Sequence, residues 1–212
     1  MVKRMTRLLL PLALLTGTAL AGTFGGFQIK PYGNERLDLG TGLTTLDKGG
    51  VATDSKTGLS IDAKTMQYKD GVNLKAQNAT LKTREGGTLR AQNTTYDVPT
   101  GVLTAQGDLK YGDGRVRDLT ADTVQYDSKK GIVIARGNVR VAEPNLRGNL
   151  LVADLNSNRA VLYGNYAYAS GGTKLSNAKN DATLLITFTG SKSSATTRPL
   201  PEALAPFKAY LK

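Results

Sequence analysis

Two stretches of the chain alternate apolar and polar residues with a period of two. The apolar side of the first stretch consists of Leu103, Ala105, Gly107, Leu109 and Tyr111. The apolar side of the second consists of Val133, Ala135, Gly137, Val139 and Val141, opposite Arg136, Asn138 and Arg140. A period of two is typical of a β-strand with one buried face and one wet face. The pattern therefore predicts antiparallel strands that share an apolar interior.

The two stretches are copies of one unit, thirty residues apart. Tyr96-Asp97 is followed by Gly101 and Gly107, and Tyr126-Asp127 is followed in the same way by Gly131 and Gly137. Because thirty is an even number, corresponding side chains point to the same face of a sheet. Weaker echoes extend the pattern in both directions, so that about four hairpin units occupy residues 60–168. We expect these units to stack around one continuous core, because each would be marginal alone.

Frequent turn signals separate the predicted strands. Most combine Gly with a polar residue or Pro, at residues 47–50, 54–58, 69–71, 85–87, 99–101, 113–114 and 129–131. Residues 156–158 are Asn-Ser-Asn, and residues 171–172 are Gly-Gly. This turn chemistry and spacing are typical of hairpins and favour an all-β domain. Gly107 and Gly137 lie inside strands instead. They mark a bend or a close approach by another group, and a bend is the favoured interpretation.

The amino end has the composition of a secretory signal peptide. Lys3, Arg4 and Arg7 precede an apolar stretch of about thirteen residues, and Ala19-Leu20-Ala21 supplies a cleavage site near Ala21. A membrane span needs about 20 residues, so an uncleaved anchor is only the alternative. We therefore predict export to the periplasm or another part of the cell envelope.

Composition divides the rest of the chain into three parts. Residues 22–36 are predicted to be a flexible lead-in, residues 37–190 the β-roll domain, and residues 191–212 a linker with a short C-terminal tail. The tail either forms a short amphipathic helix broken by Pro206 or frays, as chain termini commonly do.

The missing residue types restrict the chemistry. The chain has no cysteine and no histidine. Disulfides, thiolate sites and ordinary zinc sites are therefore excluded, and the usual acid–base residue near neutral pH is absent. Most Asp residues open turns, and no catalytic or nucleotide-binding motif is present. We therefore predict no enzyme, no metal and no cofactor.

Charge is the next clue to a partner. The net charge of +11 falls to +8 once the three signal-peptide cations are removed. In an exported protein, nucleic acid is not an expected partner. The excess indicates anionic lipid, glycolipid phosphate or acidic polysaccharide, or it simply keeps a β-protein soluble.

The segment from Leu119 to Val141, LTADTVQYDSKKGIVIARGNVRV, resembles the OstA-like (LptA-type) lipopolysaccharide-transport family. In that family the pattern A-D-x-x-x-Y-D-x-x-x-G-x-x-x-A-x-G-N-V recurs hairpin after hairpin, and the resemblance is best over residues 89–168. It implies a twisted, partly open antiparallel β-jellyroll, a "β-taco", whose apolar interior holds acyl chains. It also implies open edges that add strands from neighbouring molecules.

The resemblance and the alternation together nominate site residues. The lipid-groove candidates are Leu103, Ala105, Leu109, Val133, Ala135, Val139 and Val141. The head-group candidates, chosen because guanidinium donates paired hydrogen bonds to phosphate, are Arg115, Arg117, Arg136, Arg140 and Arg147. An ordinary packed core explains the same apolar faces, and the alternation itself places Arg136 and Arg140 on the outside.

The sequence thus predicts a non-enzymatic periplasmic protein that binds a lipid or glycolipid, shields its acyl chains and joins partners by edge-strand pairing. The partners expected are an anionic glycolipid or other envelope lipid, further copies of the chain, or related β-rolls. The alternative is a structural or adhesive envelope module that binds polysaccharide or protein. A small outer-membrane barrel fits less well, because aromatic residues make up only 6% of the chain and Trp is absent.

Overall fold

The computed structural model describes residues 22–84 and 86–211, so the predicted signal peptide lies outside the described residues. Within these ranges the chain forms eighteen strands. They are β1 (Gly22–Phe24), β2 (Phe27–Pro31), β3 (Arg36–Asp38), β4 (Leu43–Leu46), β5 (Gly50–Asp54), β6 (Ser60–Lys69), β7 (Asn73–Lys82), β8 (Thr88–Asp97), β9 (Val102–Gln106), β10 (Lys110–Gly112), β11 (Thr123–Asp127), β12 (Ile132–Val141), β13 (Asn145–Asp154), β14 (Arg159–Tyr163), β15 (Tyr166–Ser170), β16 (Thr173–Asn177), β17 (Thr183–Thr189) and β18 (Lys192–Thr196). A four-residue helix, α1 (Pro201–Leu204), and a 3₁₀ turn, Lys208–Tyr210, follow. Neither of these helical segments is long or apolar enough to cross a membrane.

All strand pairs are antiparallel and belong to one continuous sheet that is folded into two half-sheets. Half-sheet A has the order β3-β4-β6-β7-β8-β9-β11-β12-β13-β14-β17-β18. Half-sheet B has the order β1-β2-β5-β6-β7-β8-β10, then residues 117–120, then β12-β13-β15-β16. The ten-residue strands β6, β7, β8, β12 and β13 belong to both halves. This arrangement confirms the predicted all-β fold of hairpin repeats that form a twisted, partly open jellyroll.

A row of bends joins the half-sheets, and it includes Gly137, within β12, and Gly107, between β9 and β10. Gly107 and Gly137 have φ values of +77° and +73°, which an L side chain rarely adopts. A Cβ at Gly107 would lie 2.7 Å from the Gln92 side chain, and one at Gly137 would collide with the Asp122 carboxylate. The next residue, Asn138, donates its amide to both Asp122 oxygens, at 3.1 and 3.0 Å. The preference for a bend at these glycines is confirmed.

The main core lies between the half-sheets and includes residues we expected to be loose. Residues 22–36 were predicted to be a flexible lead-in, but β1 and β2 form a hairpin that pairs with β5. Phe24 and Phe27 are fully buried and pack on Tyr68 and Tyr96 of half-sheet A, with ring centroids 5.4 and 5.0 Å apart. These aromatic rings fill the interior at the amino-terminal end of the sheet.

A second apolar cluster lies on the outer face of half-sheet A. Its buried members are Ile132, Ile134, Leu150, Val152, Val161, Leu185 and Phe207. Residues 191–212 were predicted to be a linker and tail, yet β18 extends the sheet and residues 203–211 cover this cluster. Phe207 is completely buried, and Arg136 donates to the Tyr210 carbonyl at 3.3 Å. The tail is therefore a packed cap rather than a frayed end, and Pro206 lies between its two helical segments.

Candidate functional site

An apolar cleft opens between the half-sheets on the side away from the bends. Half-sheet B contributes Leu59, Leu81 and Leu89 to its lining. Half-sheet A contributes Leu103, Val124, Val133, Leu151, Ala153 and Phe188. The volume of the cleft is about 90 Å³. An apolar cavity of about 150 Å³ accommodates benzene, so the cleft in this conformation is smaller than one aromatic ring requires.

A turn from half-sheet B closes the mouth of the cleft, and Asp113 organises that turn. Asp113 Oδ1 accepts hydrogen bonds from the backbone amides of Arg115 and Val116, at 2.7 and 2.9 Å. Asp113 Oδ2 accepts from the Tyr111 hydroxyl at 2.9 Å and from Arg115 Nε and Nη2 at 3.0 and 2.7 Å. The Asp113 side chain is only 5% exposed. The carboxylate thus fixes both the turn and the arginine.

One further hydrogen bond ties this turn to half-sheet A. Arg115 Nη1 donates to Asn158 Oδ1 at 3.2 Å, and Asn158 lies in the turn between β13 and β14. We call Asp113, Arg115 and Asn158 the latch, because together they cross the mouth of the cleft. Asn158 is the member of the latch that half-sheet A supplies, and its side chain accepts the hydrogen bond that crosses the mouth.

The electrostatics keep the latch charged. Burial by itself would raise the pKa of Asp113, but hydrogen bonds from the Arg115 side chain and from backbone amides outweigh it and lower that pKa below its usual value. Burial would lower the pKa of Arg115, and the Asp113 carboxylate reverses this and raises it. Burial and the nearby Asp113 charge raise the pKa of Tyr111. At neutral pH the carboxylate and guanidinium are both ionised, and the phenol is a hydrogen-bond donor.

A polar depression adjoins the mouth of the cleft. The two share Asp113, Arg115, Tyr126, Leu155 and Asn158 in their linings, so they are contiguous. The depression, which we call the rim depression, has a volume of about 560 Å³ and includes Lys129 and Lys130. Lys129 Nζ donates to the Pro99 carbonyl at 2.7 Å, and Lys130 Nζ lies 3.2 Å from Asp127 Oδ2.

The rim depression contains both cationic side chains and polar side chains. Lys129 engages a neutral carbonyl, so its charge has no acidic counterpart in that contact. Arg115 and Lys130 pair with Asp113 and Asp127. Hydrogen bonds from Thr100 and, to a smaller extent, the charge of Lys129 lower the pKa of the nearby Asp97. Asn156 and Asn158 add side-chain amides that can donate hydrogen bonds, whereas the Ser128 hydroxyl already donates to the Gly101 carbonyl at 2.8 Å. In the described part of the chain, no group of three His, Cys, Asp or Glu residues could hold a metal ion.

The predicted lipid-groove residues divide into two groups. Leu103 and Val133 line the cleft. The remainder are buried in the main core, where opposing side chains meet: Ala105, Leu109, Ala135, Val139 and Val141. For these five residues the structure shows the packed core that the sequence left open as an alternative.

The predicted head-group residues lie in several different places on the molecule. Arg115 alone among them lies at the cleft, where the latch engages it. Arg117 pairs with Glu143 at 3.0 Å on an exposed surface, and Arg136 contacts the C-terminal cap. Arg140 and Arg147 lie next to each other on the outer face of half-sheet B.

The lysines of the rim depression are not among the site residues predicted from the sequence. Lys129 and Lys130 belong to the turn Ser128–Gly131, which was interpreted only as turn chemistry. The signal that could have found them is their place in the repeat unit. The corresponding turn of the preceding copy, Val98–Gly101, carries no cation, so the lysines are not required to make the turn.

Comparisons with known proteins give a likeness in structure and no match in sequence. No family model matches the chain, and no curated protein matches it in sequence. A solved structure similar to it is LptH from Pseudomonas aeruginosa, named as the LptA homologous periplasmic component of the conserved lipopolysaccharide transport device. The match covers 52% of this chain and 82% of that chain, with 14% identity and a TM-score of 0.47. Values this low carry no argument about function, which rests on the chain's own residues.

Proposed function

We propose that this chain is a non-enzymatic envelope protein that binds an anionic amphiphile, with the apolar tail in the cleft and the charged head over the rim depression. The observation that carries the proposal is the contiguity of the two surfaces. An apolar cavity that opens directly onto a group of cations matches a molecule with an oily end and a negative end. Lys129, Lys130 and Arg115 are the cations proposed to contact the head group.

The volume of the cleft makes opening part of the mechanism. An acyl chain does not fit into about 90 Å³, so the turn that carries Asp113 and Arg115 must move away from Asn158. The hydrogen bond from Arg115 to Asn158 is exposed to solvent, so breaking it costs about 1 kcal/mol. Burying six methylene groups stabilises the complex by about 5 kcal/mol, at roughly 0.8 kcal/mol each. Amphiphiles with tails of at least this length are therefore the proposed ligands, and short acids are not.

The free edges of the sheet are the proposed contact sites for partner proteins. Half-sheet A ends at β18 and half-sheet B ends at β16, and both strands are largely exposed. An edge strand presents unpaired backbone amides and carbonyls that can pair with a strand of another molecule. Additional copies of this chain or related β-rolls are the proposed occupants, in line with the sequence analysis.

One observation favours a second candidate function, a structural or adhesive envelope module. Most of the predicted groove is a closed core, and the aromatic rings of Phe24 and Phe27 fill its amino-terminal end. Such a module would need neither an opening latch nor a tail-binding cleft. The two functions therefore differ in whether long-chain amphiphiles enter the interior.

Filling the cleft tests the proposal. Ala153 lines the cleft and is partly buried, so Ala153→Leu places three more carbon atoms in the space that a tail would occupy. We expect the wild-type protein to bind a fluorescent long-chain fatty acid and Ala153→Leu to lose at least about tenfold in affinity, a difference of about 1.4 kcal/mol. Thermal unfolding of the variant verifies that it is folded.

The matched control is Ala178→Leu, which adds the same atoms at an exposed loop position. Its affinity should equal that of the wild type. Absence of binding by a folded wild-type protein, at every tail length tried, would refute the amphiphile proposal and leave the structural module.

A further inference from the structure

Four cations form a transverse row on half-sheet B. Arg90 of β8 is the register partner of Lys110 of β10. The next strand position across the sheet is Thr120, which forms a β-bridge with Arg140 of β12. Arg140 is in turn the register partner of Arg147 of β13. We call Arg90, Lys110, Arg140 and Arg147 the basic row. Adjacent strands are about 4.8 Å apart, so the row extends over four strand spacings, or roughly 19 Å.

The side chains of the basic row point away from the core. The residues next to them along each strand are buried, and side chains alternate between faces. These buried neighbours are Leu89, Ala91, Leu109, Val139, Val141 and Leu146. All four cations are exposed. The row therefore lies on the outer face of half-sheet B, separate from the cleft and the rim depression.

The basic row works against the stability of the sheet. Like charges directly opposite each other on neighbouring strands are destabilising, and the row contains two such pairs, Arg90 with Lys110 and Arg140 with Arg147. Lys110 has a carboxylate partner, Asp118, at 3.1 Å. Within the described ranges, no salt bridge engages Arg90, Arg140 or Arg147. Departures of this kind from the rules of strand pairing are expected at functional surfaces.

A trough continues from the basic row across the remaining strands. It has a volume of about 670 Å³, and Arg140 and Arg147 lie on one side of it while Lys174 and Ser176 lie on the other. Its floor is formed by small side chains, Ala167 and Ala169 of β15. The strand that carries the two alanines lies between β13 and β16, so the cations of both flanking strands face the same channel.

We propose that the basic row and its trough bind a linear polyanion, of the class of acidic polysaccharides, on the outer face of half-sheet B. A row of cations at strand spacing that leads into a narrow trough suits an extended charged chain. A flat anionic membrane is a poorer match, because the exposed large apolar side chains of the described chain lie elsewhere. They are Tyr32, Leu37, Leu39, Val72 and Leu200. This site does not depend on the proposed function of the cleft.

Binding of dextran sulfate, with uncharged dextran as the reference, tests the proposal. We expect wild-type protein to bind dextran sulfate and not dextran, with an affinity that decreases as salt increases. The double variant Arg140→Gln/Arg147→Gln should bind at least about tenfold more weakly, which corresponds to about 1.4 kcal/mol. It removes a like-charge pair, so its thermal stability should be maintained or increased.

The control removes the same charge elsewhere. Arg36→Gln/Arg198→Gln neutralises two exposed arginines outside half-sheet B's row, and its affinity for dextran sulfate should remain within about twofold of the wild type, or about 0.4 kcal/mol. An equal loss in both double variants would overturn the proposal, because net charge alone would then explain binding. Equally tight binding of wild type to phosphatidylglycerol vesicles, with the same loss in Arg140→Gln/Arg147→Gln, would also overturn it in favour of a membrane surface. Fatty-acid binding by Arg140→Gln/Arg147→Gln measures separately whether the cleft of that variant still binds a tail.

Discussion

Removing the Asn158 side chain should open the cleft without damaging the fold. Asn158 has a φ of +52°, so glycine is the substitution that keeps its backbone conformation. Asn158→Gly deletes the oxygen that accepts from Arg115 Nη1 at 3.2 Å, while Arg115 keeps its two contacts to Asp113. The turn around Asp113 therefore stays formed, and it loses its hydrogen bond to half-sheet A.

The size of the effect follows from the strength of that hydrogen bond. Its net contribution is about 1 kcal/mol, which corresponds to about a fivefold increase in the population of the open conformation. A ligand that binds only a minor conformation gains apparent affinity in proportion to that population. We therefore expect Asn158→Gly to bind a fluorescent long-chain fatty acid about fivefold more tightly than the wild type. Equilibrium titration at several tail lengths measures this.

Asn78→Gly is the matched control. Asn78 has a similar φ of +49° and lies on β7 at the row of bends, far from the latch. The affinity of this variant for the fatty acid should not change. If Asn158→Gly folds normally and binds no more tightly than Asn78→Gly, the latch does not limit entry and the reasoning fails.

Two further predictions concern stability. Gly137→Ala should lower the free energy of unfolding in urea clearly more than Gly71→Ala does. Both glycines have a positive φ, which costs about 1–2 kcal/mol for alanine, but only at Gly137 does the new Cβ collide with Asp122. Equal losses in the two variants would show that the bend tolerates a side chain. Because the folded-state pKa of Asp113 is lowered, its stabilising contribution is present above the unfolded-state pKa and is lost as pH falls through the folded-state pKa. The stability difference between wild type and Asp113→Asn should therefore be constant near neutral pH and shrink in acid below the usual carboxyl range. A difference that stays constant below that range as well would contradict this.

The repeat made the central part of the fold predictable. Alternation and the even spacing of Gly107 and Gly137 specified which side chains face inward and where the sheet bends, because both are local properties of a strand. The structure of the two ends of the chain was harder to predict from the sequence. Phe27 and Ile29 are buried through pairing of β2 with β5, and a five-residue strand between glycines gives too short a pattern to identify. That pairing is a long-range contact.

The outer cluster shows a limit of the two-face rule. Ile132 and Ile134 lie on the face that the alternation assigns to water, yet they are buried. Phe207, some seventy residues further along the chain, covers that face. The sequence does show that β12 carries apolar residues on both of its faces. The segment that covers the second face could not be identified, since nothing local connects it to β12.

The candidate site was only partly predictable for a similar reason. Alternation identifies Leu103, Ala105, Val133 and Ala135 as inward-facing, but it does not tell how far apart the half-sheets are at each position. The distance increases away from the bends, so Leu103 and Val133 reach the cleft while Ala105 and Ala135, one pleat closer to the bend, are packed. The twist and bend of the whole sheet determine this separation.

The shared strands have a consequence for how such a molecule can change in length. Each repeat unit crosses from one half-sheet to the other and returns, and each half-sheet of the next unit continues where the previous one stopped. A tandem duplication of thirty residues would therefore add one repeat unit within both half-sheets and leave the edge strands at the two ends unchanged. Homologous chains of different reach could arise by gene duplication alone, without any redesign of their ends.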